Sequence, residues 1–152
     1  MEKKALQPLP GSPGCFICDN NGSNPRALAL QLFWDEGEQT VHLSCEPDQT
    51  WCGYNDIVHG GLVASILDEA MAWAVKMKVG DWAFTADYQL RYKKAVTPGQ
   101  TYLAQAKVVK DAGRKITAEA QLTTQDGQML AKASATFLPA KGRAMPRTAG
   151  QA

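Results

Sequence analysis

The sequence lacks any hydrophobic run long enough to cross a bilayer, and it lacks an excess of charge of either sign. No apolar run approaches the ~18 residues of a transmembrane helix, and the opening MEKKALQPLPGSPG has no hydrophobic segment typical of a secretory signal. The net charge of +1 creates no long-range field that would attract nucleic acid or anionic lipid. We therefore expect a cytoplasmic protein that binds neither nucleic acids nor membranes.

Cysteine is scarce, and the four copies are Cys15, Cys18, Cys45 and Cys52. A zinc site closed by all four would suit the CxxC spacing of the first pair, but the second pair is too widely spaced for a typical zinc motif. A redox role would call for a βαβ context, which is absent around the CxxC. We therefore expect four small, half-buried thiols, with no metal and no redox function.

The 152 residues are enough for one domain with a hydrophobic core. Residues 1–25 are rich in Pro, Gly, Asn and Ser, which favours an N-terminal arm or loop. Residues 26–139 are expected to form the folded domain. Residues 140–152 are rich in Lys, Arg, Ala and Gly, so we expect a disordered tail.

The period of the hydrophobic pattern changes along the chain. Alternation predicts strands over residues 28–34 and 41–45, with an irregular connection over 46–58. Residues 60 to about 78 follow a helical period instead. Nine apolar residues of this segment fall within one half of the helical wheel: Leu62, Val63, Ile66, Leu67, Ala70, Met71, Trp73, Ala74 and Met77.

After Gly80 the period is two. One face of the predicted strand carries Trp82, Phe84, Ala86, Tyr88, Leu90 and Tyr92, and the residues between them, including Thr85, lie on the other face. Turns then separate three more strands, over residues 102–108, 116–122 and 129–137. This order predicts an α+β fold in which one long helix packs against an antiparallel meander.

Asp68 lies opposite the apolar stripe of the helix. Its neighbours on the wheel are small, namely Ala64, Ser65 and Ala72, together with Val75. Small residues allow a partner subunit or a ligand to approach, although wheel geometry alone is equally compatible with an ordinary exposed aspartate. Glu69 is the competing carboxylate at the border of the stripe, near Trp73 and on the side of Lys76; we favour a structural or ion-paired role and keep it as a candidate substrate contact.

Gly60 and Gly61 lie where the helix begins. The first N–H groups of a helix have no internal partner and carry the positive end of its dipole. Because glycine has no Cβ, an oxygen can approach these amides closely. The pair is therefore a candidate oxyanion site, and the alternative is a simple glycine-rich entry turn.

The arrangement resembles that of a known family. His59-Gly60-Gly61 followed by Asp68, in HGGLVASILDEA, resembles the hotdog-fold thioesterases of the PaaI type. CFICDNNGSNPRALALQL resembles the CFxCGxxNPxGLxL segment of many such bacterial proteins, with Asp19 in place of the usual Gly. FTADYQLRYKKAVTPG resembles the strand that follows the family's helix. The resemblance covers about residues 14–138.

The resemblance implies a hotdog fold, with the long helix wrapped by a curved antiparallel sheet. It also implies homodimers with a continuous sheet, often paired into homotetramers, and active sites at the dimer interface. Asp68 matches the family's catalytic carboxylate. Gly60 matches the glycine whose amide holds the thioester carbonyl in the active site of the other subunit. Thr85 matches a hydroxyl that helps to place the water. Many relatives carry an Asn where this chain has Gly53, and Asn55 lies two residues away as a candidate substrate contact.

These expectations combine into carboxylate-assisted hydrolysis of an acyl-CoA-type thioester. The Gly60 N–H holds the carbonyl oxygen while Asp68 deprotonates a water; direct attack by Asp68 to form a mixed anhydride is the alternative. His59 is expected to anchor the turn or order the substrate, with a general-base role as the alternative. We expect no metal or other cofactor beyond the coenzyme A of the substrate.

The phosphates of coenzyme A need cations. Arg91, Lys93 and Lys94 end the strand after the helix, and Arg114 and Lys115 begin another. They are candidate phosphate contacts, and the alternative is that they are solvated charges at a sheet edge.

Two other functions fit the same fold. A non-catalytic acyl-thioester-binding module is the main alternative, but Asp68 on the small-residue face favours catalysis. A hydratase would need a second His/Asp pair on a shared loop, and the sequence has none that we recognise. The acyl group is left open, because Trp51, Met71 and Trp73 suit either a ligand pocket or the core.

Overall fold

A computed structural model describes residues 5–140, and it has one long helix packed against a large antiparallel sheet. The sheet strands are β1 (Gln7–Pro8), β2 (Leu32–Asp35), β3 (Thr40–Cys45), β6 (Ala83–Tyr92), β7 (Tyr102–Asp111), β8 (Ile116–Thr124) and β9 (Met129–Pro139). They are ordered β1-β2-β3-β7-β8-β9-β6, and every neighbouring pair is antiparallel. This confirms the predicted α+β architecture. Within residues 5–140 no helix is both long and apolar enough to span a membrane.

The segment predicted to be irregular contains a 3-10 turn, Gln49–Trp51, and a small hairpin formed by β4 (Cys52–Tyr54) and β5 (Ile57–Val58). The His59 backbone N–H bonds to Trp51 O at 2.8 Å, so this hairpin leads directly into the helix. The predicted return strand, helix and three later strands are all present, with ends that differ by a few residues.

The helix α1 spans Gly60–Val79 and begins and ends at recognisable caps. Its N-cap is His59, and its C-cap Gly80 has φ 80°, a left-handed conformation that glycine adopts without strain. The apolar stripe faces the sheet; seven of its nine residues are buried, and Leu62 and Met77 are half-buried. Met71 and Trp73 belong to this core, since their side chains are 0% and 4% exposed, so packing accounts for both.

The predicted start of the first strand is wrong. Alternation predicted a strand from residue 28, but β2 begins at Leu32, and Ala29 has φ 56°, which interrupts an extended strand. Leu28 and Leu30 instead donate backbone hydrogen bonds to the N-terminal arm, to Phe16 O and Ile17 O. The arm is therefore attached to the domain. The predicted tail, apart from Ala140, lies outside the described residues.

Strand β6 contains a bulge that the sequence pattern did not reveal. Its register against β9 shifts between Thr85 and Asp87, so that Ala86 is an extra residue. A single extra residue reverses the alternation of faces. As a result Thr85 and Tyr88 both direct their hydroxyls to α1, whereas Phe84 is exposed. The prediction that Thr85 lies on the face opposite Tyr88 is therefore wrong.

Candidate active site

The centre of the candidate site is a contact between α1 and β6. Thr85 Oγ1 donates a hydrogen bond of 2.7 Å to Asp68 Oδ1. Asp68 is half-buried, and burial raises the pKa of its carboxyl, while the hydrogen bond from Thr85 opposes that rise. A carboxylate with a raised pKa and one oriented oxygen is suited to accept a proton from water.

Two tyrosines fasten the same strand to the helix. Tyr88 Oη donates to the Ala64 carbonyl at 2.9 Å, and Tyr92 Oη donates to the Gly60 carbonyl at 2.6 Å. The helix partners are spaced by one turn, so β6 runs antiparallel along α1 from Asp68 back to the helix N-terminus. These three hydrogen bonds fix the position and orientation of β6, the strand that carries Thr85, relative to α1.

The helix N-terminus is shaped by His59 and the two glycines. His59 Nδ1 accepts the Gly61 N–H at 2.9 Å, so this ring nitrogen serves as the helix cap. A Cβ on Gly61 would lie 3.0 Å from that nitrogen, and a Cβ on Gly60 would lie 3.2 Å from Tyr92 Oη. Within residues 5–140 the Gly60 N–H donates to no backbone carbonyl, which leaves it available to an external oxygen.

Gly60 and Asp68 are too far apart to act on one substrate atom within a single chain. They are separated by eight helical residues, which corresponds to about 12 Å along the axis at 1.5 Å per residue. The Gly60 amide and the Asp68 carboxylate of one subunit therefore lie at different levels along the helix and do not converge on a common point. Each chain holds both groups, but at opposite ends of the β6 contact with the helix.

A cavity lies beside the helix N-terminus. It has a volume of about 460 Å³, and its lining includes His59, Gly60, Tyr92, Lys93 and Lys94. Lys93 and Lys94 both bond through their backbone N–H groups to Leu130 O, which holds this segment in place. Two lysines therefore line the same cavity as the available Gly60 amide.

The other predicted substrate contacts are dispersed. Arg91 and Lys93 line a second groove on β6 and β9. Arg114 lies in the β7–β8 turn, at the Thr85 end of the sheet, because Ile116 pairs with Phe137 and Phe137 pairs with Thr85. Asn55 is exposed in the β4–β5 turn with φ 50°. One chain therefore does not bring these groups together.

Glu69 points away from Asp68 and into the N-terminal arm. Its Oε1 accepts hydrogen bonds from Cys18 Sγ at 2.8 Å and from Trp73 Nε1 at 3.2 Å. Burial raises the pKa of Glu69 to about 7, and the hydrogen bond from Cys18 opposes this. Its partners are two thiols, of Cys18 and Cys15, and an indole, while Lys76 Nζ lies 5.4 Å from the centre of the Trp82 ring. The geometry is that of a structural residue rather than an ion-paired one.

Comparison with known proteins agrees with this geometry. The model of the thioesterase superfamily matches residues 55–131, which contain α1, β6 and both ends of the candidate site. The chain belongs to the thioesterase superfamily. The match and the architecture together confirm the resemblance to hotdog thioesterases of the PaaI type.

Several proteins resemble this thioesterase superfamily member over most of its length. "Uncharacterized protein C26H8.11c" of Schizosaccharomyces pombe is 33% identical over 143 residues, covering 88% of this chain and 80% of that protein. The thioesterase superfamily protein RHA08564 superposes with a TM-score of 0.71 at 25% identity, over 76% of this chain and 59% of that chain. The smu.793 protein of Streptococcus mutans, solved bound to acetyl CoA, has a TM-score of 0.63 at 25% identity, over 66% of this chain and 81% of that chain.

Sequence reasoning missed two residues of this candidate site, Tyr88 and Tyr92. Both were assigned to an apolar strand face, and their hydroxyls were given no partner. No local sequence pattern shows these contacts, because they depend on how β6 packs along α1, where Ala64 and Gly60 lie one and two helical turns before Asp68.

Proposed function

We propose that this protein hydrolyses acyl-CoA-type thioesters to a free acid and a thiol. The observation that carries the proposal is the half-buried Asp68 held by Thr85 on the small-residue face of α1. Membership of the thioesterase superfamily supports it, as does the acetyl CoA bound in the Streptococcus mutans relative. The reaction uses no metal or redox cofactor.

The active form is a homodimer joined through β6. This ten-residue strand pairs with β9 on one side and, within residues 5–140, is at the edge of the sheet on the other side, where its backbone groups can pair with a second copy. Two copies paired antiparallel about an axis near Tyr88 would place the Tyr92 end of one strand beside the Thr85 end of the other. Gly60 would then face Asp68 of the second copy, which resolves the separation of about 12 Å within one chain.

The chemistry then follows from the paired groups. The thioester carbonyl oxygen accepts the N–H of Gly60 from one subunit, and Asp68 of the other takes a proton from the attacking water. The resulting tetrahedral intermediate collapses by breaking the C–S bond, and the departing thiolate receives the proton from Asp68. Thr85 keeps one carboxylate oxygen fixed so that the other faces the water. After a single turnover in ¹⁸O-water, label in the Asp68 carboxylate would identify direct attack followed by hydrolysis of the anhydride at the Asp68 carbonyl, because water attack on the thioester labels only the released acid.

The same pairing gathers the cations for coenzyme A. Lys93 and Arg91 lie at one end of β6, and Arg114 lies near the other. Antiparallel pairing of two copies brings Arg114 of one toward Lys93 of the other. These side chains are the proposed contacts to the phosphates, with Asn55 and Gly61 near the thioester end.

A hydrolysis screen tests the proposal. Purified protein is incubated with acyl-CoAs that differ in chain length and aromaticity, and thiol release is followed against a protein-free control. We expect turnover that depends on the acyl group. Binding of acyl-CoA without any release of thiol across the panel would contradict the proposal and favour the non-catalytic binding module.

A further inference from the structure

The N-terminal arm meets α1 through three side chains whose ligand atoms converge. The sulfurs of Cys15 and Cys18 and a carboxylate oxygen of Glu69 all lie within 4.8 Å of one another. Glu69 Oε1 is 2.8 Å from Cys18 Sγ and 3.5 Å from Cys15 Sγ. Neither Cys45 nor Cys52 belongs to this group. The proposed hydrolysis of thioesters makes no use of it.

The turn that carries the two cysteines directs backbone donors at both sulfurs. Ile17 N–H bonds to Cys15 Sγ at 3.4 Å, and Ser12 N–H bonds to Cys18 Sγ at 3.2 Å. The turn itself is closed by Asp19 N–H to Cys15 O at 3.1 Å. These hydrogen bonds hold both sulfurs in place on the turn, and each thiol loses its proton when it binds a metal.

The carboxylate is also held in place. Trp73 Nε1 donates to Glu69 Oε1 at 3.2 Å, and Trp73 is packed edge-on against Trp82 with ring centres 4.9 Å apart. A partner that orients a ligating side chain is typical of protein metal sites. The group therefore combines two thiols in a donor-rich turn with a carboxylate fixed by its own hydrogen bond.

We propose that Cys15, Cys18 and Glu69 bind a zinc ion that fastens the N-terminal arm to α1. Zinc prefers thiolate and carboxylate ligands in tetrahedral geometry, with Zn–S near ~2.3 Å and Zn–O near ~2.0–2.2 Å. Such bonds separate sulfur and oxygen by about 3.5 Å, which is the distance from Cys15 Sγ to Glu69 Oε1. The shorter contact, from Cys18 Sγ to Glu69 Oε1, contains a thiol proton. When zinc replaces this proton, the distance between the sulfur and the oxygen increases. Binding releases the thiol protons to solvent, and water completes the tetrahedron.

This site differs from the four-cysteine zinc site that was considered from the sequence and not favoured. The ligand that joins the CxxC is a helix carboxylate 51 residues beyond Cys18, and not a second cysteine pair. The arm and α1 would thus be cross-linked across a long stretch of chain, and the stabilisation should appear as resistance to heat.

Zinc content tests the proposal. The parent is reduced with a phosphine, dialysed against excess zinc chloride and then against metal-free buffer, and analysed for bound metal. We expect about one zinc per chain, and much less after Cys15→Ser, Cys18→Ser or Glu69→Gln. Cys52→Ser is the matched control and should retain the metal. Circular dichroism verifies that each variant is folded, and Glu69→Gln, which keeps its size, remains informative if a cysteine variant does not fold.

Two further readouts separate a bound zinc from a thiol network. A chelator should lower the melting temperature of the parent but not of Glu69→Gln. Trp73→Phe, which removes the donor that orients Glu69, should weaken zinc binding by about 10–100-fold. A reduced parent without zinc after this dialysis would overturn the proposal, as would zinc retained by both Cys15→Ser and Cys18→Ser. Neither result would bear on thioester hydrolysis, which is assayed separately.

Discussion

Thr85 and Asp68 are joined by a 2.7 Å hydrogen bond from the edge strand of the sheet to the middle of the long helix. The bond exists because the bulge beside Thr85 reverses the alternation of β6 and turns this hydroxyl toward the helix. One irregularity in a strand thus places the donor that orients the proposed catalytic carboxylate.

Thr85→Val removes the donor but keeps the shape of the side chain. A hydrogen bond to a charged group is worth about 1.5–3 kcal/mol, so we expect kcat to fall by about 10–100-fold. KM should change little, because Thr85 acts through Asp68 and not on the substrate. Thr85→Ser retains the hydroxyl and should recover most of kcat. Steady-state kinetics on an acyl-CoA substrate measures both, and a Val variant as fast as the Ser variant would contradict this role.

The Gly60 turn should be intolerant of even one methyl group. A Cβ at Gly60 would lie 3.2 Å from Tyr92 Oη and would also project into the space beside its own amide. Gly60→Ala keeps the N–H but blocks the close approach of an oxygen to it, so we expect kcat to fall by up to about 10²–10³-fold, the cost of an oxyanion donor that the carbonyl can no longer reach. Gly37→Ala is the control, since its Cβ would meet its nearest neighbour at an ordinary 3.4 Å. Equal activity of the two variants would contradict the requirement for close approach at Gly60.

Much of this fold could be predicted from the sequence. The helix was expected from residue 60 to about 78 and spans Gly60–Val79, because a wide apolar stripe and a terminal glycine mark it locally. The face of Thr85 could not be predicted, because a bulge is a property of register against β9 and leaves no local pattern. The contact between Glu69 and Cys18 joins residues 51 positions apart, which no periodicity encodes.

Subunit exchange tests whether the site is shared between two chains. Asp68→Asn and Gly60→Val should each form inactive dimers. After mixing and exchange, each mixed dimer regains one intact site, so equal amounts should recover about a quarter of the parental activity. Light scattering and a size-exclusion assay for exchange accompany the measurement. A fully active monomer, or demonstrated exchange without recovered activity, would show that each site is built within one chain.

The most direct test of the central claim is kcat/KM of Asp68→Asn with the best acyl-CoA substrate. Asparagine keeps the size of the side chain and can still accept from Thr85, but it cannot take a proton from water. We expect a loss of about 10²–10⁴-fold with the protein still folded. Asp126→Asn is the matched control and should behave as the parent, because an Asn-Gly pair suits the same hairpin turn. Activity of Asp68→Asn within about threefold of the parent, together with a larger loss in Glu69→Gln, would contradict the account.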